Sequence, residues 1–375
     1  MFSLFEQSQR APAECKIEIN NVVIEDMYAA LVEVEVTTDR SQFSEATLVF
    51  ETRRLEDGNW TIQDDDRFRP WSAIIITALF GDSEEEVMRG HIREVNAEYP
   101  AEKGTAKVIV TCQDHSLKLE RLQRNEPWGH ETPTTDGMIA TQIAQRNQLG
   151  LLETPGEGQT VEDLTQNMTD YRFLLERATA SGYELYFRGD TLYFGEMRLS
   201  SEVQPTILVY AGTSTNCIRF NIQDDGNRPE SVSYEVAAAT GSEPNPQTVT
   251  SNLELLGTRP LDSSQAGLEQ FSWRPQRQGV SDETQMQALA QQMANEESMK
   301  IKVDGELDGS LYGHVLRVGE RVGVDGVGER YSGTYYVDTA THRFDMSGYR
   351  TTFKLLRNAY GDNLAGSANL LAGVL

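Results

Sequence analysis

The feature that most restricts this chain is a strand pattern that occurs twice. Period-two alternation of apolar and polar residues runs from Ile17 to Asp114, as in Leu31-Val-Glu-Val-Glu-Val36 and Thr47-Leu-Val-Phe50. Such alternation turns one face of each strand to a core and the other to water. Turn residues at Asp57-Gly58-Asn59, Gly81-Asp82 and Lys103-Gly104 break it at intervals suited to a small Greek-key or barrel-like module. Near its end come Ala73 to Leu79, a Gly turn, the long run Arg89 to Tyr99, a second Gly turn, and Thr105 to Gln113. The C-terminal part repeats that order in Arg321 to Val324, Ser332 to Phe344 and Tyr349 to Leu356. Both copies have Gly at the start of the middle run (Gly90, Gly333), an aromatic residue at its end (Tyr99, Phe344) and a Gly turn before the last strand. Two related β-barrels in one chain are expected.

Between them the periodicity changes. Asp136 is expected to cap a helix through Met138, Ile139, Ile143 and Leu149 that Gly150 stops. Thr169 or Asp170 caps a second helix, whose stripe is Tyr171, Leu174, Leu175 and Ala178 and whose stop is Gly182. Tyr183 to Phe187 and Thr191 to Phe194 then form a hairpin about Arg188-Gly189-Asp190. Residues 237–279 are rich in Ser, Thr, Gln, Pro and Asn and read as a surface excursion. A helix from Asp282 to about Met299 follows, with Asp282 and Gln285 as a capping box and Met286, Leu289, Ala290 and Met293 on one face. The fold class is α+β, mainly β. The expected division is an arm at 1–16, a first barrel at 17–115, an α/β insert at 116–204, a second barrel at 205–236 plus 300–357, an excursion at 237–299 and a tail at 358–375.

With 33 Lys plus Arg against 58 Asp plus Glu, the net charge of -25 disfavours nucleic acid and anionic lipid as partners. Met1 to Glu14 has no apolar core of signal-peptide length, and Leu364 to Leu375 is far short of the ~20 residues of a membrane span. The protein is expected in the cytoplasm without a membrane anchor. Cys15, Cys112 and Cys217 are too widely spaced for a zinc or redox motif and read as reduced thiols. The five histidines show no HExxH, Asp114-His115-Ser116 cannot form a relay between backbone neighbours, and no G-x-S-x-G is present. Gly323-Val-Asp-Gly326-Val-Gly328 leads to a strand, not the helix that a dinucleotide loop requires. The runs Asp64 to Asp66 and Glu84 to Glu86 read as solvated turn charges without calcium-loop spacing. No catalytic residue, metal ligand or cofactor is expected.

Four ordered stretches carry a resemblance: Val87 to Val95, Val110 to Leu119, Asp170 to Phe187, and Tyr331 to Phe344. Together they resemble the late control gene D family of phage tail proteins, which includes contractile-tail baseplate hubs and the hub half of the VgrG spikes of type VI secretion. The resemblance implies a homotrimer whose two tube-like barrels per chain form a ring of six, adapting a three-fold spike to a six-fold tail tube. Its signature positions here are Gly90, Asp114, Leu117, Phe173, Leu174, Gly182, Gly189, Gly333, Tyr335, His342 and Phe344. The chain stops at Leu375, before any spike domain, so the spike is expected to be a separate protein, with Leu364, Leu370 and Leu371 as candidate contacts to spike or tube. Other baseplate proteins are further expected partners. The assembly would be built in the bacterial cytoplasm as part of a virion tail, tailocin or extracellular injection system, among which the residues do not distinguish. A baseplate-carried cell-wall hydrolase and a peripheral receptor- or sugar-binding β protein are the alternatives.

Overall fold

Alternation in the first stretch becomes seven antiparallel strands in the structure, a computed structural model that describes residues 14–100, 105–235, 246–261, 263, 267–274 and 283–364. They are β1 (Glu14–Ile19), β2 (Val22–Val23), β3 (Leu31–Asp39), β4 (Glu45–Thr52), β5 (Ala73–Phe80), β6 (Ser83–Glu98) and β7 (Ala106–Asp114), paired in the order β3-β4-β7-β6-β5-β1-β2. β1 and β3 are not hydrogen-bonded, yet Ile17 and Ile19 of one share a solvent-free core with Val34 and Val36 of the other, so the sheet rolls up around its apolar face. Cys112 is buried in this core. The strand begins at Glu14, inside the stretch expected to be an arm.

Helical periodicity in the middle of the chain produces a second core. It is built from α1 (Ser116–Leu119), β8 (Glu126–Trp128), β9 (Thr134–Thr135), α2 (Asp136–Arg146), β10 (Gly150–Leu151), β11 (Thr160–Val161), β12 (Leu164–Gln166), α3 (Asp170–Ser181), β13 (Glu184–Arg188) and β14 (Thr191–Gly195). Ile139, Ile143, Phe173, Leu174, Leu185 and Phe194 fill it. Two details differ from expectation. Thr135, not Asp136, caps α2, because its hydroxyl accepts from Met138 N at 3.3 Å, and the helix ends at Arg146, before Gly150 opens β10. α3 ends as expected: Gly182 adopts φ 67, the left-handed conformation that a Cβ disfavours.

The remaining elements are β15 (Val203–Leu208), β16 (Cys217–Asp224), β17 (Ser231–Glu235), β18 (Pro246–Val249), β19 (Arg259–Pro260), β20 (Ser272–Trp273), α4 (Glu283–Ser298), β21 (Ile301–Asp308), α5 (Gly309–Tyr312), β22 (Arg321–Asp325), β23 (Gly333–Asp345), β24 (Gly348–Arg357) and β25 (Ala359–Tyr360). Six of them pair in the order β16-β21-β24-β23-β22-β15 around a third core that includes Val303, Val322, Tyr335 and Phe353. β17 was expected in this module. It forms instead a separate sheet with β18 and β20, covered by Met286, Ala290 and Ala294 of α4. Asp282 of the proposed capping box lies outside the described residues.

The two β modules repeat each other down to the register. The path β3-β4-β7-β6-β5-β1 matches β16-β21-β24-β23-β22-β15 in both chain order and pairing order, although β15 runs parallel to β22 where β1 is antiparallel to β5. Bulges recur at Val32 and Ile218, between Leu31/Glu33 and Cys217/Arg219, and at Arg93 and Asp338, between Ile92/Glu94 and Val337/Thr339. Aligned on these bulges, the cross-strand row Val34-Leu48-Val110-Val95 becomes Phe220-Gly305-Phe353-Ala340 without a slip. A register shift by one residue would invert every side chain, so agreement across four strands is a stringent match.

The modules also join. β3 pairs with the second half of β23, from Thr339↔Asp39 to Asp345↔Glu33, so both belong to one sheet. Gly90 sits where β6 crosses the end of β7, and a Cβ there would overlap the Gln113 carbonyl. Gly90→Val should therefore destabilise the protein by about 1–3 kcal/mol through overpacking, read as a lower urea midpoint, while Gly226→Ala on the open surface should leave the midpoint unchanged.

Candidate functional site

The three cores meet at Arg40, the residue after β3. Its Nε donates to Asp338 Oδ1 at 2.6 Å and its Nη1 to Glu184 Oε1 at 3.1 Å, while Tyr336 Oη donates to Glu184 Oε2 at 2.6 Å. Asp338 is the bulge residue of β23, and Glu184 opens β13 of the insert. One guanidinium thus ties all three modules together. Burial pushes the Glu184 carboxyl up to about 7, against the pull of Arg40 and the Tyr336 hydroxyl. The same surroundings raise Arg40 above its usual value, so the guanidinium stays charged. The β3–β4 turn adds an apolar contact: Phe43 meets Tyr171 of α3 edge-on at 6.1 Å.

Each signature position has a local role, and they do not converge. Asp114, buried at the end of β7, accepts from Ser44 N at 2.6 Å and Ser116 N at 2.9 Å, joining the start of β4 to α1, and burial lifts its carboxyl to about 6. Leu117 is half-buried, and Leu119 is the α1 side chain that enters the insert core. Phe173 and Leu174 belong to that core, Gly182 caps α3, and Gly189 turns the β13–β14 hairpin. Gly333 begins β23. Tyr335 is buried beneath Arg357, whose guanidinium lies 4.9 Å from the ring centroid. Phe344 stacks on Tyr349 with centroids 4.3 Å apart. Leu364 is half-buried near Gly323, while Leu370 and Leu371 lie outside the described residues.

His342 sits between β3 and β24 with Nδ1 2.8 Å from Tyr349 Oη and 3.2 Å from Thr351 Oγ1. Complete burial drives its pKa from 6.5 to about 3. The unfolded chain therefore binds a proton between those values that the folded chain refuses, and this contribution to stability is lost as pH falls from 6.5 toward 3.

Four charges have structural roles that the sequence reading did not assign. Arg357 is fully buried and donates to the carbonyls of Leu256 at 3.0 Å, Tyr331 at 2.8 Å and Gly361 at 2.6 Å. Asp136 is equally buried, pairs with Arg177 at 2.6 Å and accepts from Ser181 Oγ at 2.6 Å. Asp170 is bound by Arg146. The Glu84 to Glu86 run, expected in a turn, lies in β6, where Glu85 accepts from Val315 N at 2.9 Å and so holds the second module.

A cavity of about 670 Å³ between α3, α4 and β21 is lined among the described residues by no histidine or cysteine, and Arg40 and Arg228 in its wall are held by ion pairs to Glu184, Asp338 and Glu297. Among the described residues no group of three or more His, Cys, Asp or Glu is placed to hold a metal ion, and no helix is long and apolar enough to cross a membrane. The ion pairs around Arg40 hold the modules together.

A protein-family model described as Alg8 N-terminal domain matches residues 9–345, where the ordered stretches had pointed to the late control gene D family. No curated protein matches the chain in sequence. The fold is similar to that of a 43 kDa tail protein of prophage MuSo2 from Shewanella oneidensis, at TM-score 0.68 and 12% identity, covering 92% of this chain and 98% of that one. It is also similar to a tail protein from Neisseria meningitidis MC58, at TM-score 0.63 and 14% identity, covering 93% and 97%. A chain of the Francisella PdpA–VgrG complex matches at TM-score 0.55 and 10% identity, covering 96% of this chain and 61% of that one.

Two predictions follow from these buried groups. Arg40→Met should cost about 3 kcal/mol by leaving Glu184 without its cation, and adding Glu184→Gln should restore part of the loss in the same denaturant titration. His342→Gln should flatten the acid limb of stability between pH 6.5 and 3. The wild type should fall there more steeply by up to roughly 1.4 kcal/mol per pH unit, checked by urea titrations across the range.

Proposed function

The chain belongs to the Alg8 N-terminal domain family, and from the similarity of its fold to those of phage tail proteins we propose that it is a structural, non-enzymatic hub of a contractile-tail baseplate. Three copies form a ring that adapts a three-fold spike to a six-fold tail tube. The late control gene D resemblance is part of this reading, as are the spike, the tube or its initiator, and neighbouring baseplate proteins as partners. The assembled hub is a part of a virion tail or a related injection machine.

The observation that carries the reading is the repeated strand path. A three-fold object can present six similar positions to a tube only if each chain holds two similar units, and β3-β4-β7-β6-β5 and β16-β21-β24-β23-β22 supply such a pair with matched bulges. The cohesive character of the Arg40 junction supports a rigid adaptor, since it holds both units at one fixed angle.

Light scattering of the purified full chain tests the proposal. The expected result is a species of three times the chain mass. A monomer or dimer at every concentration would overturn it.

A further inference from the structure

Trp71 stands where the backbone calls for glycine. It and Ser72 together face Ile92 of β6: Trp71 N donates to the Ile92 carbonyl at 2.7 Å and Ile92 N donates to that of Ser72 at 2.9 Å, a two-against-one bulge just before β5. Trp71 has φ 74, in the left-handed region that a Cβ disfavours, most of all one that carries a large ring. Burial does not compensate, because the residue is 65% exposed. Bulges re-aim side chains, and this one turns an indole out to solvent instead of into the core.

The surroundings of the ring are cationic, in a chain whose net charge is -25. The Arg121 guanidinium lies 5.6 Å from the indole centroid. Lys118 of α1 precedes it by one helical turn, and Leu122 beside it is 54% exposed. Arg67, Arg69, Arg89 and Arg93 of the same module each bind a carboxylate. Among the described residues Lys118 and Arg121 have no ion-pair partner. The positive region continues inward to His91 of β6 and His115, whose rings lie 5.4 Å apart and whose Nδ1 atoms are buried without a hydrogen bond. Burial, and then the charge of Lys118, hold both imidazoles below their usual value. Arg89 adds to that effect on His115, and Asp190 in the β13–β14 turn opposes it. An exposed tryptophan beside an arginine, with cations that no acid of the chain neutralises, has the composition of a recognition hot spot.

We propose that Trp71, Lys118, Arg121 and Leu122 form a docking surface for an extended acidic segment of another polypeptide. The planar fork of Arg121 takes one carboxylate in two parallel hydrogen bonds while its face stays on the indole, and Lys118 takes another as a point charge. The open part of the ring and Leu122 receive an apolar side chain between those carboxylates. Charges are screened over about 8 Å at physiological salt, so a short acidic segment responds to these cations and not to the acids elsewhere on the chain. A nucleic acid would run past the patch onto acidic surface, and a neutral sugar would leave both cations unused. The surface is independent of the three-copy reading, since it lies within one module of one chain.

Fluorescence anisotropy of a labelled oligoglutamate of about ten residues, titrated with the full chain at about 50 mM salt, tests the proposal. The expected result is saturable binding that weakens by at least about tenfold in Trp71→Gly and in the double variant Lys118→Gln with Arg121→Gln. Tyr210→Ser, which removes an aromatic ring 90% exposed elsewhere on the chain, should bind as the wild type does. Glycine accepts the conformation at position 71, so Trp71→Gly should keep or raise the urea midpoint while losing the peptide. No binding by the wild type, or equal binding by wild type and variants, overturns the proposal. A lower urea midpoint for Trp71→Gly would make the indole a structural residue and overturn its role in docking. Tighter binding of an oligothymidylate of equal charge overturns the acidic polypeptide in favour of a nucleic acid.

Discussion

Everything in this molecule hangs on the seam between β3 and β23. Seven cross-strand pairs convert two separately cored β modules into one sheet. Backbone hydrogen bonds alone would allow the strands to slide, because a ladder has no intrinsic register. Arg40 removes that freedom. It stands at the end of β3 and reaches the bulge residue Asp338 on β23, and the same guanidinium binds Glu184 of the insert. Slippage by one pair would separate a largely buried cation from both carboxylates, a cost of several kcal/mol. The bulge at Asp338 also increases local twist, which lets one long strand serve β22 with its first half and β3 with its second.

The repeats have kept their hydrogen-bond paths while exchanging nearly every side chain. Leu48 facing Val110 in the first becomes Gly305 facing Phe353 in the second, a large-for-small exchange that preserves the volume between strands. The loop that joins β3 to β4 is five residues long, whereas the equivalent join from β16 to β21 carries β17 to β20 and α4. Such growth is tolerated because it leaves from a surface turn and packs on a core of its own. The insert likewise sits between the repeats and touches both through Phe43, Glu184 and Arg198.

Much of this was legible before any coordinates. The echo of β5, β6 and β7 in β22, β23 and β24 follows from periodicity and Gly turns, and the helices at 136 and 170 follow from their stripes, with Gly182 a true stop and Gly150 not. The span 205–236 plus 300–357 was assigned to the second unit, but the equivalence of β16 with β3 and of β21 with β4 was not legible, because the excursion separates them in sequence and β16 shows its inward Phe220 and Ile222 among polar neighbours. Ser231 to Glu235 alternates like a barrel strand and pairs elsewhere, since alternation reports one buried face without naming what buries it.

The sequence by itself determined the classes of element and the echo between two β units. Those properties depend on neighbours a few residues apart, where side-chain period and turn chemistry act. Only the tertiary structure decided which edges are covered. Arg40, Glu184 and Asp338 are distant in the chain and ordinary one by one, and their worth arises from a shared buried site. Likewise, β3 is an interior strand because β23 of the same chain pairs with it, while β16, among the described residues, pairs with β21 alone.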